Sequence, residues 1–197
     1  MGSGMAASLR RHGFDLQVFD VRAEVAQAFA AEGGRAAQDI PSLAASVDVI
    51  ISVVVNAQQT EQVLFGPNDD GTGCVGHMKP GSVFVMCSTV DPNWSIRTEA
   101  RLQALGIHYV DAPISGGAAK AQAGAITMMT AARPEAYAAC DNVLQAMAAK
   151  VYKLGNCAGA GSKVKIINQL LAGVHIAAAA EAMALGLREG VDAHDLY

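Results

Sequence analysis

What most constrains this chain is the recurrence of short apolar runs separated by stretches of helical spacing. Leu16–Phe19, Val47–Val55, Val83–Met86 and Ile107–Val110 are four such runs. Between them lie Val21–Glu32, Ala57–Leu64 and Asn93–Leu105, where polar and apolar residues mix at the helical period. A strand that is apolar at successive positions is buried on both faces, and strands that alternate with helices pair in parallel. The expectation is an α/β chain: a mostly parallel sheet with helices on both faces. Beyond Val110 the pattern shortens to two apolar strands, Ile126–Met129 and Val151–Leu154, around a helix over Pro134–Lys150, which extend the same sheet. From Ser162 to about Glu189 the spacing gives one long helix, with Gly159 and Gly161 before it and Gly190 after it.

Size sets the domain count. The 197 residues fill one domain and the start of a second. Residues 1–160 are expected to form the sheet domain, and 161–197 a long interdomain helix that begins an all-α domain. A hydrophobic helix of that length needs a packing partner, and none follows it within the sequence, so the chain reads as truncated at this end. With 52% hydrophobic and 16% charged residues the composition argues against disorder, the apolar excess being largely alanine. A net charge of −4 supplies no broad positive field, so neither nucleic acid nor an anionic membrane surface is an expected partner.

The four cysteines, Cys74, Cys87, Cys140 and Cys157, have no paired spacing of a metal site or redox motif, and read as reduced thiols in a cytoplasmic protein. The N-terminus lacks a basic segment followed by an apolar stretch, so no export is expected. Leu170–Leu187 is the membrane candidate, but it contains His175 and Glu181 and is rich in Ala and Gly, which favours a helix packed within protein.

The chain opens Met1-Gly2-Ser3-Gly4-Met5-Ala6-Ala7, then a short helical stretch to Arg11 and the run that ends at Asp20. This has the form of the back half of a Rossmann-like βαβ unit lacking its first strand. In such units glycines let the backbone approach a pyrophosphate at a helix N-terminus. Asp20 stands where an acidic residue accepts hydrogen bonds from the adenosine ribose, which favours NAD over NADP; Arg22 leaves the opposite choice open, and the lesser alternative for Asp20 is a cap on the helix from Val21. Val53-Val54-Val55-Asn56 and Cys87-Ser88-Thr89 each follow a strand, so both turns should line the ligand crevice. The cofactor-facing candidates are therefore Met1, Gly2, Asp20, Val54, Val55, Asn56 and Thr89, with Asn56 and Thr89 equally well explained as helix-cap or turn residues.

Two segments carry a sharper signal. Asp111-Ala112-Pro113-Ile114-Ser115-Gly116-Gly117 follows a strand, and its adjacent glycines let backbone amides converge on an anion such as a carboxylate, with Ser115 adding a hydroxyl. In Gly159-Ala160-Gly161-Ser162-Lys163-Val164-Lys165-Ile166-Ile167-Asn168-Gln169, Lys165, Asn168 and Gln169 share one helical face, which Ala172 and Ile176 continue as an apolar strip. Lys163 points elsewhere and reads as solvated. Spacing alone leaves Lys165 open between a surface lysine that packs its stem and a functional amine.

Together the opening glycines, the Asp111–Gly117 segment and Gly159-x-Gly161-x-x-x-Lys165-x-x-Asn168-Gln169 resemble the β-hydroxyacid dehydrogenases, relatives of 3-hydroxyisobutyrate and 6-phosphogluconate dehydrogenases. The resemblance covers essentially the whole chain, and Asn168–Ile176 is most similar to a branch acting on L-threonate. It implies that Lys165 is the acid/base, that Ser115, Gly116 and Gly117 hold a substrate carboxylate, and that Asn168 and Gln169 touch substrate. Gln169 departs from the asparagine of many members. The resemblance further implies NAD, a small hydroxy acid as partner, one strand and two glycines before Met1, and a helical domain after Tyr197 that makes a homodimer or homotetramer. Alternatives are a semialdehyde reductase or 3-hydroxyisobutyrate dehydrogenase of the same family, and a cofactor-binding module without catalysis.

Overall fold

A computed structural model describes all 197 residues. The chain runs α1 (Gly2–Arg11), β1 (Gln17–Val18), α2 (Ala23–Ala31), β2 (Arg35–Ala36), α3 (Ile40–Ser46), β3 (Val49–Ser52), α4 (Ala57–Phe65), β4 (Val83–Met86) and α5 (Pro92–Gln103). It continues β5 (His108–Asp111), β6 (Ile114–Ser115), α6 (Gly117–Gln122), β7 (Ile126–Ala132), α7 (Pro134–Met147), β8 (Ala148–Lys153), α8 (Ala160–Arg188) and α9 (Ala193–Leu196).

β3, β4 and β5 are parallel neighbours, paired Ile50 to Phe84 and Phe84 to Tyr109. β7 adds antiparallel to β5, and β6 and β8 pair with β7, so the two strands beyond Val110 do extend the sheet. β1 and β2 form a separate two-stranded parallel ribbon. Alternation along β4 divides the interior in two. Val83 and Val85 face a core with Met5, Leu9, Ile126, Met128 and Leu144, whereas Phe84 and Met86 face one with Ala44, Leu64, Leu102 and Tyr109. Helices α1, α6 and α7 thus cover one face and α3, α4 and α5 the other, the Rossmann-like α/β arrangement expected from the apolar runs.

The boundaries show where local pattern yields to pairing. The nine-residue run Val47–Val55 supplies a strand of only four residues, because Val53–Val55 turn into the cap of α4, where Asn56 accepts from the Gln59 amide at 2.9 Å. The helix expected over Pro134–Lys150 stops at Met147: Ala148–Lys153 pairs alongside β7 instead, so sheet hydrogen bonding overrides an alanine-rich local preference. Strand β2 and helices α3 and α6 were not anticipated, being too short to show a period, although Asp39 does cap Ser42 beside Pro41.

Helix α8 matches the long helix expected, beginning two residues earlier, at Ala160. The packing partner expected for it is not within these residues: beyond its first turns its apolar side chains are exposed, Leu170 at 67% and Ile176 at 70%. By length and composition alone α8 could also cross a membrane. Its far end meets α9, where Leu196 lies against Gly186.

Candidate active site

Of the 29 residues of α8, the buried ones are Gly161, Ser162 and Lys165. Gly161 sits where any side chain would collide, since a Cβ there would lie 2.4 Å from the Met129 carbonyl oxygen and 2.9 Å from that of Asp111. The first turn of α8 is therefore pressed onto the end of β5 and the middle of β7. Lys165, four residues on from Gly161 and on the same face, is 6% exposed. No carboxylate pairs with it; its Nζ donates to the Gln169 Oε1 at 3.4 Å, and burial lowers its pKa below the usual lysine value. Asn168 and Gln169 are exposed, as is Lys163.

Two buried carboxylates that the sequence reading gave no separate role hold this helix start. Asp111, fully buried at the end of β5, accepts from the Gly159 amide at 2.8 Å, the Ser162 amide at 3.0 Å and the Ser162 hydroxyl at 2.6 Å. Glu99 on α5 accepts from the Ala158 amide at 3.2 Å. Burial pushes the Asp111 carboxyl above the usual range while those three donors pull it back. Its position just before Ala112-Pro113 was legible; its attachment 48 residues away was not.

The anion-binding candidates lie four residues beyond Asp111. Ser115 is half-buried in β6, opposite Thr127, rather than in a loop. Gly116, at φ 132°, is the N-cap of α6, and Gly117, at φ 76°, has open space around it, so both exposed glycines adopt backbone that favours Gly. The segment is tied back by the Met129 amide, which donates to the Pro113 carbonyl at 3.0 Å. Met129 thus contacts both the substrate-loop candidate and, through its own carbonyl, Gly161 of the lysine helix.

The cofactor candidates lie at the carboxyl ends of the parallel strands or at the start of α1. Gly2 faces Val53, with 3.5 Å from its Cβ position, while half-exposed Val54 and exposed Val55 follow on the same turn. Met1 precedes a helix with no acidic residue and no side-chain cap in its first turn, which leaves amides free to meet an anion. Asp20 accepts from the Arg22 amide at 2.9 Å and sits 3.6 Å from the Arg22 Nε, both on Oδ1; it is not the cap of α2, whose N-cap is Arg22. Thr89 is exposed, and Asn56 is engaged as a helix cap. Ser88, next to Thr89 and passed over in the sequence, joins the two turns by donating to the Val54 carbonyl at 2.8 Å and contacting the Thr60 hydroxyl at 3.1 Å. This set fits a dinucleotide: small residues at a helix start, an acid after β1 and exposed turns at the strand ends.

Fold and site together define a nucleotide-binding α/β domain joined to a helix that carries a buried lysine. Residues 1–155 match the NAD-binding domain of 6-phosphogluconate dehydrogenase, and residues 159–197 match the NAD-binding family of NADP-dependent 3-hydroxyisobutyrate dehydrogenase. The chain belongs to the β-hydroxyacid dehydrogenase family, among the 3-hydroxyisobutyrate dehydrogenase-like proteins. It is 54% identical over 197 residues to L-threonate dehydrogenase of Cupriavidus necator, covering 100% of this chain and 65% of that protein. To L-threonate dehydrogenase of Escherichia coli it is 39% identical over 198 residues, covering 100% of this chain and 64% of that one. The crystal structure of a 3-hydroxyisobutyrate dehydrogenase from Salmonella typhimurium superposes with a TM-score of 0.88 at 43% identity, over 96% of this chain and 65% of that one. The chain thus spans a little under two thirds of the length of these relatives.

Proposed function

We propose that this chain is the cofactor-binding, lysine-bearing part of an NAD-dependent dehydrogenase of small β-hydroxy acids, with L-threonate as substrate. The observation that carries the reading is the environment of Lys165: a lysine residue 6% exposed, with no carboxylate partner and a lowered pKa. Lowering the pKa makes this amine a readier proton acceptor than an ordinary surface lysine. The similarity to two L-threonate dehydrogenases supports the substrate. A domain division at about residue 160 is supported by the start of α8 at Ala160.

In this mechanism Ser115 and the amides at Gly116 and Gly117 hold the substrate carboxylate, and Asn168 and Gln169 orient the hydroxyl-bearing carbons. Neutral Lys165 takes the hydroxyl proton onto Nζ as the O–H bond breaks and the C=O bond forms. Bound NAD supplies the acceptor for the hydride that leaves the same carbon. In the opposite direction the ammonium returns the proton. Met1, Gly2, Val54, Val55, Asn56 and Thr89 would line the dinucleotide, and Asp20 would accept from the adenosine ribose, where its charge would repel the extra phosphate of NADP. The exposed apolar face of α8 is covered by a helical domain in a cytoplasmic homodimer or homotetramer.

The test incubates the full-length enzyme with NAD or NADP and with L-threonate, D-glycerate or 3-hydroxyisobutyrate, following absorbance of the reduced cofactor. NAD with L-threonate should give the highest kcat/KM, and Lys165→Met should abolish turnover while NAD binding persists. Turnover by the Met variant, or none by the wild type with any hydroxy acid, refutes the reading.

A further inference from the structure

We infer that Asp111 is a positioning residue that fixes Lys165 relative to the Ser115 turn by capping helix α8 from a neighbouring strand. The inference rests on Lys165 acting as the proton acceptor.

An α-helix begins with amides that lack partners, and a side chain at the N-cap ordinarily satisfies the amide three residues on. The N-cap of α8 is Gly159, which has no side chain to offer. It cannot readily be replaced, since its φ is 104° and a Cβ there would lie 2.9 Å from Ile96. Asp111 does the work from outside the helix. Its Oδ2 accepts from the amides of Gly159 and Ser162, and its Oδ1 accepts from the Ser162 hydroxyl. In a local capping box two residues of the helix divide these tasks. Here one carboxylate on β5 takes both the cap amide and the third helical amide.

The location of that carboxylate gives the arrangement its consequence. Asp111 is held in register against Met86 on one side and Ala131 on the other. Four residues along the same segment stands Ser115, and three residues beyond Ser162 stands Lys165. Between them the Met129 amide is bonded to Pro113, and the Met129 carbonyl sits under Gly161. A helix is stiff over one turn, so the position of the Lys165 backbone relative to the Ser115 turn is set at the Asp111 carboxylate, and packing of the buried stem carries that position to the amine. A detached cap on a rigid strand serves to register two groups carried by different elements, which a local Ser or Thr cap would not do.

The full-length enzyme, assayed with L-threonate and NAD, tests this. Rates are expressed per NAD-binding site, counted by NADH fluorescence titration, so that any unfolded fraction drops out. Asp111→Ala should lower kcat about 100-fold, the scale of a 1 Å misplacement, with the NAD Kd within about twofold of wild type. Asp111→Asn, which keeps one acceptor oxygen, should fall less. The primary deuterium isotope effect on kcat should rise in both as hydride transfer becomes limiting, a change that loss of stability alone does not cause. Should Asp111→Ala not fold, Ser162→Ala carries the test: it loses one charge-assisted hydrogen bond and should lower kcat per site about tenfold with a raised isotope effect. A wild-type rate per site and isotope effect in the folded variants, whatever their Tm, overturns the inference. Lys165→Met is run in parallel: if it is active, or if the wild type does not turn over, the underlying proton-transfer reading has failed; if it is inactive while the Asp111 and Ser162 variants run at full rate, only the positioning role has failed.

Discussion

Buried without a carboxylate partner, the ammonium of Lys165 is disfavoured in the folded state, which lowers its pKa below that of an unfolded lysine, about 10.4. The sign of the linkage follows: below its folded pKa this lysine costs stability, and the cost disappears as pH rises through the window between the folded value and about 10.4. Lys165→Met should therefore raise Tm at neutral pH, with the gain shrinking as pH approaches 10; a gain independent of pH in thermal melts would contradict this. In oxidation kcat should rise with pH along a limb centred below the ordinary lysine value. Lys165→Arg, whose guanidinium stays protonated, should show no active plateau across the same pH–rate profile. For Asp111, burial works the opposite way, raising a carboxyl pKa, so the stability its ionisation costs grows as pH rises past the unfolded value, about 3.9.

At the scale of elements, the site depends on how helices are started. Asn56 caps α4 through the Gln59 amide, so Asn56→Ala should cost about 1 kcal/mol in urea unfolding. An undiminished unfolding midpoint with NAD affinity reduced more than tenfold would make it primarily a cofactor contact. Gly161 is where α8 meets the sheet, and Gly161→Ala forces a methyl to within 2.4 Å of a backbone oxygen that cannot rotate away. Overpacking of this kind costs about 1–3 kcal/mol, read as a loss of Tm, and should lower turnover further by tilting the lysine helix. The core beneath is less negotiable still: Phe84, fully buried on β4, should lose about 3–5 kcal/mol on replacement by Ala, measured by denaturant unfolding.

For the whole molecule the salient feature is an imbalance. The sheet domain buries its apolar residues in two cores, whereas α8 exposes Ile167, Leu170, Val174 and Ile176. Ile176 lies on the Lys165 side of the helix and Ile167, Leu170 and Val174 lie opposite it, so α8 is apolar around its circumference, which marks an interaction surface. The 197-residue chain by itself should therefore self-associate, and Leu170→Glu combined with Ile176→Glu should shift it toward monomer in sedimentation velocity. A wild-type chain that stays monomeric at high concentration would show the exposed apolar surface to be tolerated in water.

Apolar runs such as Val83–Met86 can be buried only between two helical layers, so the sheet and its covering were legible in the sequence, as was the long final helix; the strand order, and the separation of Gln17–Val18 from the main sheet, were not. The glycine pairs and the lysine spacing were likewise visible, because they depend on local backbone freedom and helical period. What the linear pattern could not reveal was pairing and attachment between distant segments. The stop of α7 at Met147 depended on hydrogen bonds to β7, and the short elements carried too few residues to show a period. The burial of Lys165 and the capping of its helix by Asp111, 51 residues before Ser162, arise from two strands and a helix end converging. Local chemistry determined which residues could serve; only long-range packing decided which amine lost its water and which carboxylate holds it in register.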